Sequence, residues 1–574
     1  MNENIFREYD IRGVVATDFT ADTVIKIAKA FSTMLVREGF KNCVVGFDAR
    51  LSADFLFSTF ANTLRDCGVD VISIGQCTTP MLYFAQINYG SDSAVMITGS
   101  HNPSDMNGFK MITKDHAIYG EKIQYLKDLI IRNDLVTRNP DTPAGTLKTV
   151  SVKEDYLDYL KKNISMGDRS LKIVIDGGNG TGGEIAAEIF RHFGHEVTEL
   201  YTKPDGTFPN HHPDPTVPKY MVDLIAKVKE IKADLGIGYD GDADRIGVVT
   251  EQGNMLFGDH LMLIFSKEIL SRKPGATIVG EVKCSQTLYD SIKKFGGNGI
   301  MWKAGHSLIK AKMKETKAEL GGEVSGHIFF KDRFFGHDDA LYASLRLLEI
   351  LSRTDKTVTG LLADVPKTIM TPEIRLDSDD NKKFDIVRKV TEFFKSEGYN
   401  VVDVDGVRVI FDDGFGLIRA SNTQPALVQR YEAQSQERLE EIMKLMQDKL
   451  KEIEKRSVKN IIIKHRKEFN VEKQKKEVKK MTKFEIIRKV HVITGLSYKE
   501  TGSVINNMIE VIKDSLKDDF VIELRGFGTF KVAERAARIA YKPKGREKLE
   551  IPEKRVPVFK AVKSLKDKVN RNKK

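Results

Sequence analysis

Cysteine and tryptophan are scarce in this chain: 574 residues hold four of the former and one of the latter. Cys43, Cys67, Cys77 and Cys284 are scattered and form no Cys-x-x-Cys pair. That excludes a disulfide scaffold or a zinc finger and suits a reducing cytosol. Long apolar runs are missing too, since no window approaches the roughly 18 unbroken apolar residues of a membrane span. Met1 to Asn4 opens no basic-then-apolar leader. The expectation is a soluble, cytoplasmic chain. Core material is ample, at 41% hydrophobic with 31 Phe, which excludes global disorder. At roughly 150 residues per domain, the length predicts about four domains.

Charge is divided unevenly. Residues 456–574 hold 33 Lys+Arg against 15 Asp+Glu, which leaves 58 against 66 for residues 1–455. A mildly acidic body with a strongly basic tail predicts a polyanion partner for the tail alone. Within the body, short apolar strands such as 42–47, 70–74 and 93–97 alternate with amphipathic helical segments, which predicts parallel α/β layers. Leu439, Ile442, Met443, Met446, Leu450 and Ile453 share one helical stripe and read as the closing helix of a domain. Residues 456–480, with ten Lys/Arg and three Glu, read as a linker, helical in part.

Four loops of the body carry chemistry. Thr98-Gly99-Ser100-His101-Asn102-Pro103 follows a buried strand, where ligands sit in open α/β sheets, so Ser100 reads either as a nucleophile or as part of a polar turn. Asp240-Gly241-Asp242-Ala243-Asp244-Arg245 places three carboxylates at alternate positions, which repel unless a cation sits among them. Hard oxygen ligands point to Mg²⁺ or Ca²⁺. An EF-hand is disfavoured, because Arg245 stands where that loop needs glycine and the flanks read as strands. An aspartyl-phosphate enzyme with Asp240 as nucleophile usually has Thr or Val where Asp244 stands. Gly322-Glu323-Val324-Ser325-Gly326-His327 suits a loop closing on sugar hydroxyls, or an ordinary turn. Arg419-Ala420-Ser421-Asn422-Thr423-Gln424-Pro425 suits a phosphate cradle, or a helix cap, although a cap has no need of Arg419. A rival signal is Gly178-Asn179-Gly180-Thr181-Gly182-Gly183, with Glu199 about twenty residues on, which matches the dinucleotide fingerprint but leaves the four loops unexplained.

In this order the four loops resemble the signatures T-A-S-H-N-P, D-G-D-x-D-R, G-E-x-S-G-H and R-x-S-N-T-x-P of the α-D-phosphohexomutase family. Phe6-Arg7-Glu8-Tyr9-Asp10-Ile11-Arg12-Gly13 resembles that family's opening, and Lys303-Ala304-Gly305-His306-Ser307 its phosphomannomutase/phosphoglucomutase branch. The resemblance implies four α/β domains around a central cleft: 1–150 with the phosphoserine loop, 151–252 with the metal loop, 253–368 with the sugar loop and 369–455 with the phosphate loop. It implies phosphate exchange between the 1- and 6-positions of a hexose, glucose or mannose, through phosphoserine at Ser100 and a hexose 1,6-bisphosphate that is both intermediate and activator. Ser100, Asp240, Asp242 and Asp244 would hold Mg²⁺. Lys110 and His306 would serve proton transfer, with Arg12 and Arg245 steadying the moving group, and His101 would be a further catalytic residue. Tyr9, Lys283, Glu323, Ser325, His327, Arg419, Ser421, Asn422, Thr423 and Arg430 would bind substrate. Gly99 replaces the usual alanine and is expected to loosen the serine loop.

The tail reads separately. Arg525-Gly526-Phe527-Gly528-Thr529-Phe530 suits a tight hairpin with packed Phe527 and Phe530, and residues 531–555 alternate cations with short side chains as an extended arm on a polyanion would. Pro543 could act as an apolar wedge between base steps; a solvated basic surface with a turn proline is the plainer reading. With Val556-Pro557-Val558-Phe559-Lys560, residues 481–574 resemble the HU/IHF family of bacterial nucleoid proteins, a small α+β fold that dimerises and carries β-arms. The resemblance implies duplex DNA binding with little sequence preference, through Arg525, Arg535, Arg538, Lys542, Pro543, Lys544, Arg546, Lys548, Arg555, Lys560 and Lys563. It also implies a homodimer, or a heterodimer with free HU, at the nucleoid. Lys544-Gly545-Arg546 departs from the family's usual arm tip. The rival function is a nucleoid architectural protein carrying an inactive mutase body.

Overall fold

The computed structural model describes residues 1–114, 117–138, 143–379, 382–421, 425–469, 482–494, 498–541 and 548–570. The chain forms two compact units, Met1–Ile463 and Lys464–Lys574. None of the described helices is long and apolar enough to cross a membrane.

Four sheets build the first unit, and all four contain antiparallel pairs. In the first, Asn42–Phe47 runs parallel to Asp70–Gln76 and Ser93–Ile97, while Met106–Thr113 runs antiparallel to Ser93–Ile97 and to Ile11–Val14. Val44, Val45, Ala94, Val95, Met96 and Ile97 are all buried, as expected of strands covered by helices on both faces. The second sheet has the order Met255–Leu256, Ile246–Thr250, Leu235–Tyr239, Lys172–Asp176, Glu196–Leu200. The third has Asn298–Trp302, Thr277–Glu281, Leu320–Gly322, Ile328–Phe330. The fourth, Ile369–Met370 through Ala426–Ala433, Gly414–Ala420 and Val407–Phe411 to Asn400–Val402, is antiparallel throughout.

The expected parallel layers are found in part: the first three sheets mix parallel with antiparallel pairs, and the fourth has no parallel pair. Each chemistry-bearing loop joins two antiparallel neighbours: Ser93–Ile97 to Met106–Thr113, Leu235–Tyr239 to Ile246–Thr250, Leu320–Gly322 to Ile328–Phe330, and Gly414–Ala420 to Ala426–Ala433. Strand–helix alternation does not reveal this, because local periodicity reports burial and says nothing of strand direction. The predicted closing stripe is borne out. Leu439, Ile442, Met446, Leu450 and Ile453 of helix Gln436–Phe469 pack in the core of the fourth sheet, with Met443 at its margin. That helix continues into the segment read as a linker.

The second unit has helices Lys483–Thr494 and Tyr498–Lys517, a sheet of Ile522–Leu524, Gly528–Arg535 and Lys554–Ala561, a ribbon of Arg538–Tyr541 with Lys548–Ile551, and a last helix Lys563–Asn570. Phe527 and Phe530 both pack on Phe559, at ring centroid distances of 5.2 and 4.7 Å. Apolar side chains are left uncovered. Val504, Met508 and Val511, spaced along one face of helix Tyr498–Lys517, are more than half exposed, as are Phe520 and Val521.

Candidate active site

Ser100 sits at the tip of its loop with φ 50°, a left-handed conformation that L-residues rarely adopt. Its N–H donates to Thr98 Oγ1 at 2.7 Å and its hydroxyl donates to Asp240 Oδ2 at 2.7 Å, with His101 Nδ1 at 3.2 Å. Beside Gly99 the missing side chain leaves room for Arg50: a Cβ there would lie 2.4 Å from Cζ of that buried guanidinium. Arg50 donates to the carbonyls of Ser100 (2.8 Å), Asn102 (2.6 Å), Met106 (2.8 Å) and Pro103, and its Nε lies 3.1 Å from Asp48 Oδ2. Asp48 Oδ2 also accepts from Thr98 Oγ1 at 2.7 Å. Sequence reading missed Asp48 and Arg50; the available signal was an Asp-x-Arg directly after a buried strand. Arg50→Ala would leave Asp48 buried without its cation and release four carbonyls. We expect the serine to shift and turnover to fall about 100-fold, together with a lowered thermal midpoint, both measured on the purified variant.

The acidic loop presses against the serine loop. A Cβ at Gly241 would meet the Ser100 carbonyl oxygen at 2.6 Å, and one at Gly180 would meet the Gly241 backbone at 2.7 Å. Two glycines of the rival dinucleotide motif, Gly180 and Gly182, thus pack the acidic loop closely. Asp240 Oδ1 accepts from the N–H groups of Asp244 and Arg245, both at 3.1 Å. Asp242 Oδ2 accepts from Thr79 Oγ1 and from Lys110 Nζ, both at 2.6 Å, and Lys110 also pairs with Asp244. Thr79 was not foreseen. Burial and the neighbouring Asp244 and Asp242 raise the Asp240 carboxyl well above its usual range. Burial disfavours charge on Lys110, but Asp242, Asp244 and Asp240 outweigh it and hold the ammonium protonated. In this geometry Lys110 balances the charge of Asp242 and Asp244.

Asp240, Asp242 and Asp244 each bring a ligand atom within 4.8 Å of the others, and Asp242 Oδ1 and Asp244 Oδ1 are buried with no hydrogen-bond donor. Two orphaned hard oxygens beside a third carboxylate fit a small divalent cation.

Other predicted residues gather around this centre. Arg12 pairs with Asp10 at 2.5 Å and reaches Asn102 Oδ1 of the serine loop at 3.3 Å. Arg245 Nε donates to His327 Nε2 at 3.0 Å, while His327 Nδ1 lies 3.1 Å from Asp338 and 3.6 Å from Asp244. His306 stacks on His327 with centroids 5.4 Å apart. Burial lowers both His101 and His306 well below the ordinary imidazole range, with nearby cations adding to the effect, so both rings are neutral.

A second group lies among the third and fourth sheets. Glu323 Oε1 accepts from Gly305 N–H at 2.6 Å, and Tyr9 donates to the Ala304 carbonyl at 2.9 Å. Asp405, unforeseen, accepts from both Ala304 N–H (3.0 Å) and Arg419 Nε (2.9 Å), tying the 303–307 turn to the phosphate loop. Lys283 stands 3.3 Å from Glu373 and 3.5 Å from Glu281, whose carboxyl burial pushes up to about 7. Ser325 is half-buried in its turn, and Ser421 N–H bonds the Ala426 carbonyl at 2.9 Å. Arg430 faces Met370 Sδ and Asp259, the latter at 3.9 Å. Asn422 and Thr423 lie outside the described residues.

In the second unit Arg525, Arg535, Arg555, Lys560 and Lys563 are exposed, and Arg555 is tied to Asp519. Arg538 and Lys548 lie on the two ribbon strands. Lys542, Pro543, Lys544 and Arg546 fall outside the described residues.

Known proteins match both units. The family description "Phosphoglucomutase/phosphomannomutase, alpha/beta/alpha domain I" matches residues 3–135, domain II 154–253, domain III 257–369, and the C-terminal domain 373–449. "Bacterial DNA-binding protein" matches residues 481–570. A phosphomannomutase/phosphoglucomutase of Pseudomonas aeruginosa is 43% identical over 451 residues, 79% of this chain and 96% of that one. A phosphoglucomutase of Neisseria meningitidis is 44% identical over 444 residues, 76% and 95% of the two chains. The crystal structure of a phosphoglucomutase/phosphomannomutase family protein from Burkholderia thailandensis, 42% identical, matches with a TM-score of 0.74 over 79% of this chain and 98% of that one. Four mutase domains in unbroken order, near-complete coverage of the relatives and a separate basic module together mean that this chain belongs to the phosphoglucomutase/phosphomannomutase family and carries an HU-type bacterial DNA-binding domain at its C-terminal end.

Proposed function

We propose that the body is a reversible, Mg²⁺-dependent phosphohexomutase that moves phosphate between the 1- and 6-positions of glucose or mannose. The observation that carries this reading is the Ser100 hydroxyl at 2.7 Å from Asp240, beside two carboxylate oxygens that lack donors. Ser100 as phosphoserine would give its phosphoryl group to the free hydroxyl of a hexose monophosphate. The resulting 1,6-bisphosphate turns round and returns its other phosphate to Ser100. Asp240, Asp242 and Asp244 would hold Mg²⁺, which supplies neutralisation of charge on the transferring group. Arg12 and Arg245 add positive charge beside the serine loop. Neutral His101 and His306 are able to accept a proton from the attacking hydroxyl. Glu323 and Ser325 would bind hydroxyls, and Arg419, Ser421 and Lys283 the phosphate that stays behind. Coupled assays with glucose 1-phosphate and mannose 1-phosphate, primed with the bisphosphate, test the reading. Chelation of divalent metal should lower turnover by about 100-fold or more and Mg²⁺ should restore it; activity indifferent to chelator would remove the metal from the reaction.

The tail would bind duplex DNA with little sequence preference and pair with a second copy or with free HU, at the nucleoid. The uncovered stripe Val504, Met508 and Val511 supports pairing.

A further inference from the structure

Strand Val407–Phe411 of the fourth sheet carries Arg408, whose side chain is fully buried and forms no ion pair among the described residues. Burial works against its charge, and Tyr289 and Glu432 oppose that effect only in part. A buried cation without a paired carboxylate is costly to hold, and no step of the proposed transfer uses it. Its guanidinium is engaged by the third domain instead. Nη1 donates to the carbonyls of Val282 at 2.5 Å and Cys284 at 2.7 Å, and Nη2 donates to Gln286 Oε1 at 3.0 Å. The Phe415 ring covers it, with the centroid 3.6 Å from Cζ. Val282 and Cys284 are the two neighbours of Lys283. Holding a carbonyl on each side of Lys283 fixes the point from which that side chain starts. Lys283 is close enough to Arg419 for the two charges to oppose each other, with Glu281 and Glu373 offsetting the repulsion. Both cations are referred to one strand pair. Arg408 stands opposite Leu417, two residues before Arg419, and Val282 packs with Leu417 and Phe415 of the same strand.

We propose that Arg408 is a positioning residue for the substrate phosphate that stays behind: it sets the backbone of Lys283 in register with Arg419 and acts on the phosphate through Lys283. The inference rests on the mutase reading, in which Lys283 and Arg419 grip that phosphate. Arg408 is itself too deeply buried to meet a ligand. Its planar fork suits two carbonyls at once, which a lysine ammonium on a flexible stem does not reproduce. The resting phosphate is held in the ground state and in the transition state alike. Losing part of that grip therefore raises KM and leaves kcat nearly unchanged. Damage that is merely structural does the reverse, since fewer active molecules lower kcat and leave KM where it was.

The experiment compares Arg408→Met, Arg408→Lys, Lys283→Ala and the double variant Arg408→Met/Lys283→Ala in the full chain, by steady-state kinetics with glucose 1-phosphate. Arg408→Met should raise KM at least about tenfold with kcat within about threefold of the wild type, and Arg408→Lys should fall between the two. Lys283→Ala should raise KM at least as much. Adding Arg408→Met to it should then cost less than about twofold more, because the two residues act as one unit. Calorimetry with glucose 1-phosphate on a Ser100→Ala background, where no turnover intrudes, should show the same loss of affinity. An unchanged KM in a folded Arg408→Met variant, a loss confined to kcat, or a full tenfold loss on top of Lys283→Ala would each overturn the proposal. If Arg408→Met does not melt cooperatively, Arg408→Lys decides: a wild-type KM there overturns it equally. A wild type that binds glucose 1-phosphate without turning it over would count against the mutase reading, and the calorimetric comparison would still decide the role of Arg408. A wild type that does neither would sink both.

Discussion

Ser100→Ala is expected to abolish mutase turnover, lowering kcat at least about 1,000-fold with glucose 1-phosphate as substrate. The change removes one oxygen and little else. Asp240 loses the Ser100 hydroxyl but keeps the N–H groups of Asp244 and Arg245, and the loop keeps its Arg50 anchors. Alanine meets the same left-handed backbone that serine tolerates at φ 50°, so the fold should survive, which a thermal melt would verify. A folded but inactive variant separates chemistry from stability. The phosphate carrier is lost outright, and no neighbouring hydroxyl takes its place, because Thr79 donates to Asp242 and Thr98 donates to Asp48. Turnover undiminished in the variant would remove Ser100 from the mechanism. A wild type that is inactive with Mg²⁺ and bisphosphate primer would favour the rival function, a DNA-binding protein with an inert body.

The four loops were legible in the sequence because each packs its chemistry into six or seven consecutive residues. Spacing alone carries such information, and the carboxylates at 240, 242 and 244 do converge. What stayed hidden is held by partners far apart in the chain. Arg50 reaches four carbonyls fifty or more residues away, Thr79 meets Asp242, Asp338 faces His327, and Asp405 joins Ala304 to Arg419. No local pattern announces a contact across 163 residues, as between Thr79 and Asp242. Gly99 is the instructive case. Read locally, a glycine in a loop means freedom; in the fold its missing side chain is the space that a buried guanidinium occupies. Strand direction was likewise invisible, since a strand buried on both faces reads alike in parallel and antiparallel company.

Affinity for duplex DNA should collapse with salt, by about 1,000-fold or more between 50 and 200 mM, if six or more phosphates are neutralised. The tail's charge supports that number of contacts. Arg525, Lys531, Arg535, Lys554, Lys560 and Lys563 are exposed cations of one module. Their arrangement argues further than their count. On the paired strands Gly528–Arg535 and Lys554–Ala561, Arg535 stands directly opposite Lys554. Like charges facing each other across strands destabilise a ribbon, so the pair is a cost to the free protein that a bound polyanion would relieve. Arg555, by contrast, is engaged by Asp519 and is expected to contribute less to the salt slope than its neighbours. Anisotropy of a labelled duplex titrated across salt measures the slope; Arg535→Ala should make it shallower by about one unit, and Arg555→Ala by less. Because such contacts touch phosphate, scrambling the duplex sequence should change affinity far less than salt does. Tight binding that ignores salt would mean that the module recognises something other than the DNA backbone.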